Sequence, residues 1–96
     1  MTPEQLNQAI LEALTRLSSR GVLPESEIPG SVVVERPKNR EHGDWATNVA
    51  MQLAGKLQQN PRSLAEKIAS ELESTDGVES VSVAGPGFIN LFVSSA

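Results

Sequence analysis

Apolar residues along the chain form three stretches spaced three and four apart, as on helices, and three short runs of strand character. Leu6, Ile10, Ala13, Leu14 and Leu17 make the first stripe. Thr2, Pro3 and Gln5 ahead of it supply an N-cap, a first-turn proline and a capping-box partner, and Gly21 supplies a stop. A helix packed by one face is predicted, with nothing distinctive on its polar side. Residues 22–31 carry Pro24, Pro29 and Gly30 among polar positions and read as a surface loop. Residues 31–36 then bring three successive valines, too short a run for a helix, and are expected to form the first strand, buried in part on both faces.

Asp44 can cap a second helix with Trp45 or Ala46 in its first turn and Val49, Ala50, Leu53, Ala54 and Leu57 on its apolar side, ending before Asn60. Asn60-Pro61 repeats the cap-plus-proline device. Leu64, Ala65, Ile68, Ala69 and Leu72 give the third stripe, stopped by Asp76-Gly77. Residues 78–83 and 88–93 are strand-like and are joined by Ala84-Gly85-Pro86-Gly87, so an antiparallel hairpin is expected. In the last strand, alternation places Ile89, Leu91 and Val93 on one face and Phe88, Asn90 and Phe92 on the other. The order is helix, strand, helix, helix, strand, strand. The expected fold is α+β, a small antiparallel sheet of about three to four strands with three helices packed mainly on one face.

At 96 residues the chain is one domain with a modest core, too short for a core plus a catalytic lobe. Trp45, Phe88 and Phe92 are its only aromatic residues, so the interior must be aliphatic. With no cysteine there is neither a disulfide framework nor a thiolate metal site. No apolar run approaches membrane-spanning length and the N-terminus lacks a signal pattern, so a cytoplasmic protein with no membrane partner is expected.

Charge changes the picture more than composition does. The net charge of −4 argues against a non-specific nucleic-acid coat, and no DNA partner is expected. Yet Arg36, Lys38 and Arg40 fall within five residues, and without them the chain stands at −7. Pro37 and Gly43 hold this basic segment out of regular structure, and a loop of this kind can meet phosphate. The plainer reading is a solvated loop balanced by Glu35, Glu41 and Asp44. In the last strand, an amide between two aromatics on a face the aliphatic core does not need suits base stacking and hydrogen bonding. The other reading is that a helix, or a neighbouring domain, covers that face.

Catalytic signatures are lacking. His42 has no Cys, His or carboxylate at metal-ligand spacing, and no metal site is expected. His42 and Asp44 have no nucleophile elbow to complete a triad. Gly85-Pro86-Gly87 has no Lys-Ser/Thr ending and no following helix, so it is a turn and not a phosphate loop. No acid, base and nucleophile occur together, and no catalytic residue is expected.

Two motifs, VERPKNREHGDWATNVAMQLA (residues 34–54) and VAGPGFINLFV (residues 83–93), closely resemble the N-terminal additional domain of bacterial arginyl-tRNA synthetases. The resemblance covers nearly the whole chain and includes Gly43-Asp44-Trp45, Asn48, the Asn60-Pro61 joint and the Gly87-to-Asn90 strand. It implies a tRNA-recognition accessory domain over residues 1–96, a fragment of a longer class I enzyme whose catalytic and anticodon-binding domains lie elsewhere. The implied partners are arginine tRNA and the catalytic domain of the same chain. ATP, with magnesium, serves that catalytic domain, and no cofactor is implied for the fragment. The family's HIGH-type and KMSK-type signatures do not occur here, and His42-Gly43-Asp44-Trp45 is not the former.

By the same resemblance Gly85, Phe88 and Asn90 face the D-loop at the outer corner of the L-shaped tRNA. Phe88 would stack on a splayed base and Asn90 would bond a base edge, while Arg36, Lys38 and Arg40 would contact phosphate. Asn90 departs from members with a longer amide there. Asp44 and Asn48 would serve structure, as helix cap and as a tie between helix and loop, with Trp45 in the core and Gly43 allowing a sharp turn. A competing function is a freestanding protein-interaction domain using the last strand as an edge, or its aromatic face.

Overall fold

The computed structural model describes residues 2–37 and 40–93, with Arg40 described in its backbone alone. Helix α1, Pro3–Ser19, starts on the expected capping box: Thr2 Oγ1 accepts the Gln5 N–H at 3.1 Å and Gln5 Oε1 accepts the Thr2 N–H at 2.9 Å. It ends with the Val22 N–H on Leu17 O and the Gly21 N–H on Ser18 O, which together satisfy two of the last carbonyls. Its whole predicted stripe is buried.

Helix α2, Val49–Leu57, and helix α3, Pro61–Leu72, meet at the predicted joint. Asn60 Oδ1 accepts the Arg62 and Ser63 N–H groups at 2.9 and 3.1 Å, so one side chain satisfies two orphan donors of α3. Strands β1 (Trp45–Thr47), β2 (Val78–Ala84) and β3 (Phe88–Val93) form one antiparallel sheet in the order β1-β3-β2. Directly paired residues point to the same side. Val81, Leu91 and Trp45 form one row toward the helices, and Val83, Ile89 and Thr47 form the next. Ile89 and Leu91 there join Leu6, Ile10, Leu14, Leu64, Ile68 and Leu72 in a single aliphatic core with zero exposure. Each such side chain contributes about 1.5–3 kcal/mol by leaving water.

Glu71 is the charged residue inside this packing, 8% exposed. Its carboxylate takes Arg16 Nε at 3.0 Å and Arg20 Nη1, tying α3 to α1.

The element order predicted from sequence holds, but the first strand lies on the other side of the basic segment. Residues 31–36 are not a strand: only Glu35 pairs, in an isolated antiparallel bridge to Ala46. Val32 is buried and gives its N–H to Asn7 Oδ1 at 2.6 Å, whereas Val33 is 62% exposed. A lone neighbour cannot bury both faces of a valine run. Trp45 and Ala46, the residues expected to open the first turn of α2, lie with Thr47 in β1 instead. Asp44 is not the helix cap. Its N–H donates to Leu91 O at 2.7 Å and its Oδ2 accepts the Val93 N–H at 2.9 Å, so it extends the β1–β3 seam beyond the strand. Asn48 occupies the cap position of α2 with no side-chain cap bond, and Thr47 Oγ1 accepts the Val49 N–H at 3.3 Å.

Candidate nucleic-acid interface

Helices α2 and α3 lie against one face of the sheet, and α1 packs on α3 to complete the same core. The other face carries Phe88 and Ala84 at the hairpin end, then the row Glu35, Ala46, Asn90 and Ser82, then Phe92 and Ser80. Phe88 is 43% exposed and Phe92 is half-buried. Asn90, in the central strand between two aromatic neighbours, is only 7% exposed. The face therefore presents the Phe88 ring first and the Asn90 amide behind it. Phe88 and Val33 are the two exposed large apolar side chains among the described residues. Both line an open cleft whose remaining walls are Glu35, Ala46, Thr47 and Asn48.

The hairpin turn beside Phe88 is held from outside. Gly87 N–H returns to Ala84 O at 3.3 Å. Gly87, at φ +148°, lies so near the α2–α3 joint that a Cβ there would stand 3.1 Å from both Pro61 O and Met51 Cγ. Arg62 Nη1 donates to Gly85 O at 2.8 Å. Gly85 in turn faces the Phe88 ring, whose Cδ2 is 3.8 Å from the place of a Cβ.

Arg36 lies apart from this group. The Arg36 guanidinium stacks on the Trp45 ring, 4.1 Å from its centroid, and Nη1 donates to Asp44 O at 3.4 Å. Trp45 pairs with Leu91, so Arg36 sits at the β1 edge on the helix-bearing side, not on the Phe88 face. Trp45 packs against the core and carries the cation on its outer surface. Lys38 lies outside the described residues, and Arg40 belongs by its backbone to a short 3₁₀ turn, Arg40–His42. Of the residues singled out from sequence, Gly85, Phe88 and Asn90 come together; Arg36 does not join them.

Sequence reasoning overlooked Arg62 and the cleft wall formed by Val33, Glu35 and Asn48. Arg62 did carry a signal: a cation in the first turn of a helix opposes the helix dipole, which asks for another reason for it to be there. The cleft carried none, because it arises where the 31–36 segment crosses beside β1. No helix of the described residues is long and apolar enough to cross a membrane.

Comparison with known proteins gives this arrangement a family. The model of the family described as "Arginyl tRNA synthetase N terminal domain" matches residues 4–93. An arginine–tRNA ligase of Renibacterium salmoninarum is 48% identical over the whole chain, and one of Bifidobacterium adolescentis 50%; the chain spans only 18% and 17% of their lengths. Among solved structures, Thermus thermophilus arginyl-tRNA synthetase aligns with 98% of this chain at a TM-score of 0.73 and 23% identity, over 14% of its own length. The Plasmodium falciparum enzyme aligns with 96% at 0.74 and 18%, over 16% of its length. At these identities the two structures speak for the fold, and the sequence matches carry the family: the chain belongs to the arginyl-tRNA synthetase N-terminal domain family.

Proposed function

We propose that this domain binds arginine tRNA through the hairpin turn and the Phe88 face, meeting the D-loop at the outer corner of the L. It thereby positions the tRNA for ATP-dependent arginylation by a class I catalytic domain in a longer cytoplasmic protein. ATP and magnesium act at that catalytic domain. The observation that carries the reading is an exposed aromatic ring on a helix-free sheet face, set beside a turn braced from below. Every base has a π-face, so such a ring takes a splayed nucleotide without needing a fixed hydrogen-bond pattern. Arg36, at the adjoining edge, would meet phosphate and set register without reading sequence. The same part is proposed for Lys38 and Arg40.

The test is a titration of the isotopically labelled chain with arginine tRNA at low salt. Amides of Phe88 to Asn90 should shift, affinity should fall as salt rises, and Phe88→Ala should weaken binding by about 1–3 kcal/mol. Unmoved amides at saturating tRNA would remove the reading.

A second reading, a protein-docking face, has the Val33–Phe88 patch and the cleft between them in its favour. It survives only in its facial form. β3 is the central strand, bonded to β1 and β2, and offers no edge. This reading predicts indifference to RNA.

A further inference from the structure

We infer that Arg62 is a positioning residue for the RNA-contacting hairpin, acting through the Gly85 carbonyl to fix where the Phe88 ring stands. The inference rests on the tRNA-binding reading of Phe88. In the turn Ala84-Gly85-Pro86-Gly87 the ring of Pro86 fixes one φ, but the two glycines at positive φ and the lack of a side chain long enough to anchor the turn leave freedom on either side of it. Two contacts from the α2–α3 joint remove that freedom. Gly87 rests against Pro61, and Arg62 donates a charge-assisted hydrogen bond to Gly85 O at 2.8 Å. Arg62 is itself well placed for this, since its backbone N–H is held by the Asn60 cap at 2.9 Å. Its other ionic neighbour, Glu66, is more distant at 3.6 Å and lies on the exposed side of α3.

A cation at this point works against the N-terminal end of the α3 dipole, and its long, exposed i,i+4 pair with Glu66 returns little, so helix stability alone does not explain its placement. It is explained by the turn. The Gly85 backbone runs beside the Phe88 ring, whose Cδ2 lies 3.8 Å from the place of a Cβ on Gly85, and a carbonyl pinned from α3 holds that part of the turn still. The Asn60-Pro61-Arg62 joint thus has two tasks, opening a helix and bracing the contact tip. An aromatic ring that is already in place loses less freedom when a base stacks on it, and this is how a residue that touches no RNA raises affinity.

The experiment compares the 96-residue chain, whose core closes on itself, with Arg62→Ala and Arg62→Lys. In the free proteins, Arg62→Ala should shift and broaden the amide signals of Gly85 to Phe88 while leaving those of α1 in place. With arginine tRNA, Arg62→Ala should weaken binding roughly two- to tenfold, the range of one lost hydrogen bond. Arg62→Lys, which keeps a donor, should recover part of that loss. The slope of log affinity against log salt separates positioning from phosphate contact. For positioning it stays as in the parent, whereas loss of a phosphate contact lowers it by roughly 0.7–0.9. A lowered slope, or unchanged affinity with a parent that binds, overturns the inference. A parent that does not bind tRNA overturns the tRNA-binding reading instead, and this inference with it. The free-protein spectra still decide whether Arg62 braces the turn.

Discussion

Replacing Gly43 by alanine should be among the most damaging single-methyl changes in this domain. Gly43 is buried at φ +152°, and a Cβ there would stand 2.9 Å from Leu91 O and 3.1 Å from Leu91 N. Neither atom can retreat. Leu91 belongs to the central strand, paired with Trp45 on one side and Val81 on the other, and its carbonyl accepts the Asp44 N–H at 2.7 Å. Two penalties therefore add. Holding an L-residue in this backbone region costs about 1–3 kcal/mol. Forcing a methyl into packed backbone costs about 1–3 kcal/mol more. The expected loss is roughly 2–6 kcal/mol, a large part of the roughly 5–15 kcal/mol that holds a domain together. At this chain length each kcal/mol moves the melting temperature by about 4–8 °C, so Tm should fall by at least about 8 °C. Urea unfolding followed by far-UV circular dichroism measures the loss directly, provided the slope with denaturant is unchanged. Gly55→Ala is the control. It lies inside α2 with nothing within 4 Å of its Cβ position, and the change should stabilise by about 0.5–1 kcal/mol through helix propensity. If Gly43→Ala unfolds within about 0.5 kcal/mol of the parent, the seam between Gly43 and Leu91 is not the fixed close approach described.

Two further outcomes follow from the same geometry. Arg36→Ala should uncover the outer surface of Trp45, the only tryptophan, so that its emission moves to longer wavelength while stability falls by about 0.5–1 kcal/mol; an unchanged spectrum would mean that the stacking does not persist in solution. Glu71→Ala should cost about 1–3 kcal/mol by removing the carboxylate shared by Arg16 and Arg20; Arg16 Nη2 keeps its bond to the backbone carbonyl at this position, so the α1–α3 tie is weakened and amide exchange in the last turn of α1 should quicken; a cost near zero would mean that water replaces the carboxylate fully.

The helices were legible because their signals are local. A cap, a first-turn proline and a stripe of Leu, Ile and Ala repeat over a dozen or more residues in α1 and α3, and Thr2 and Asn60 make the side-chain bonds those signals imply. The final hairpin was legible for a similar reason: two β-branched or aromatic runs face each other across a glycine-rich turn. At the site, Gly85, Phe88 and Asn90 are close in sequence and alternation sets the last two on one face, so their gathering needed no long-range information. Residue burial did need it. That Asn90 is enclosed follows from β3 being central, which depends on where β1 docks.

The misreading around Asp44 shows what local pattern cannot contain. Asp44 ahead of an apolar stripe offers the same kind of N-cap as Asn60, though without the first-turn proline, and by sequence alone both open a helix. What separates them is Leu91 to Val93, more than forty residues away, which offers the carbonyl and N–H that Asp44 uses. Once Asp44 spans that seam with both its backbone and its carboxylate, residues 45–47 are carried into register with Leu91, Asn90 and Ile89, and the helix can begin only at Val49. Gly43 is the condition for this, since no side chain fits where the chain first meets Leu91. The valine run then has no place in the ladder beyond Glu35, and Val33 is left standing over the cleft beside Phe88. A single non-local seam thus both displaces the expected strand and creates the apolar wall of the candidate interface. For this reason Gly43→Ala should reach beyond stability: in the fraction that still folds, displacement of β1 should open the cleft, and the Phe88 amide should shift even without RNA. A parent-like Phe88 signal in folded Gly43→Ala would show that the cleft does not depend on the seam.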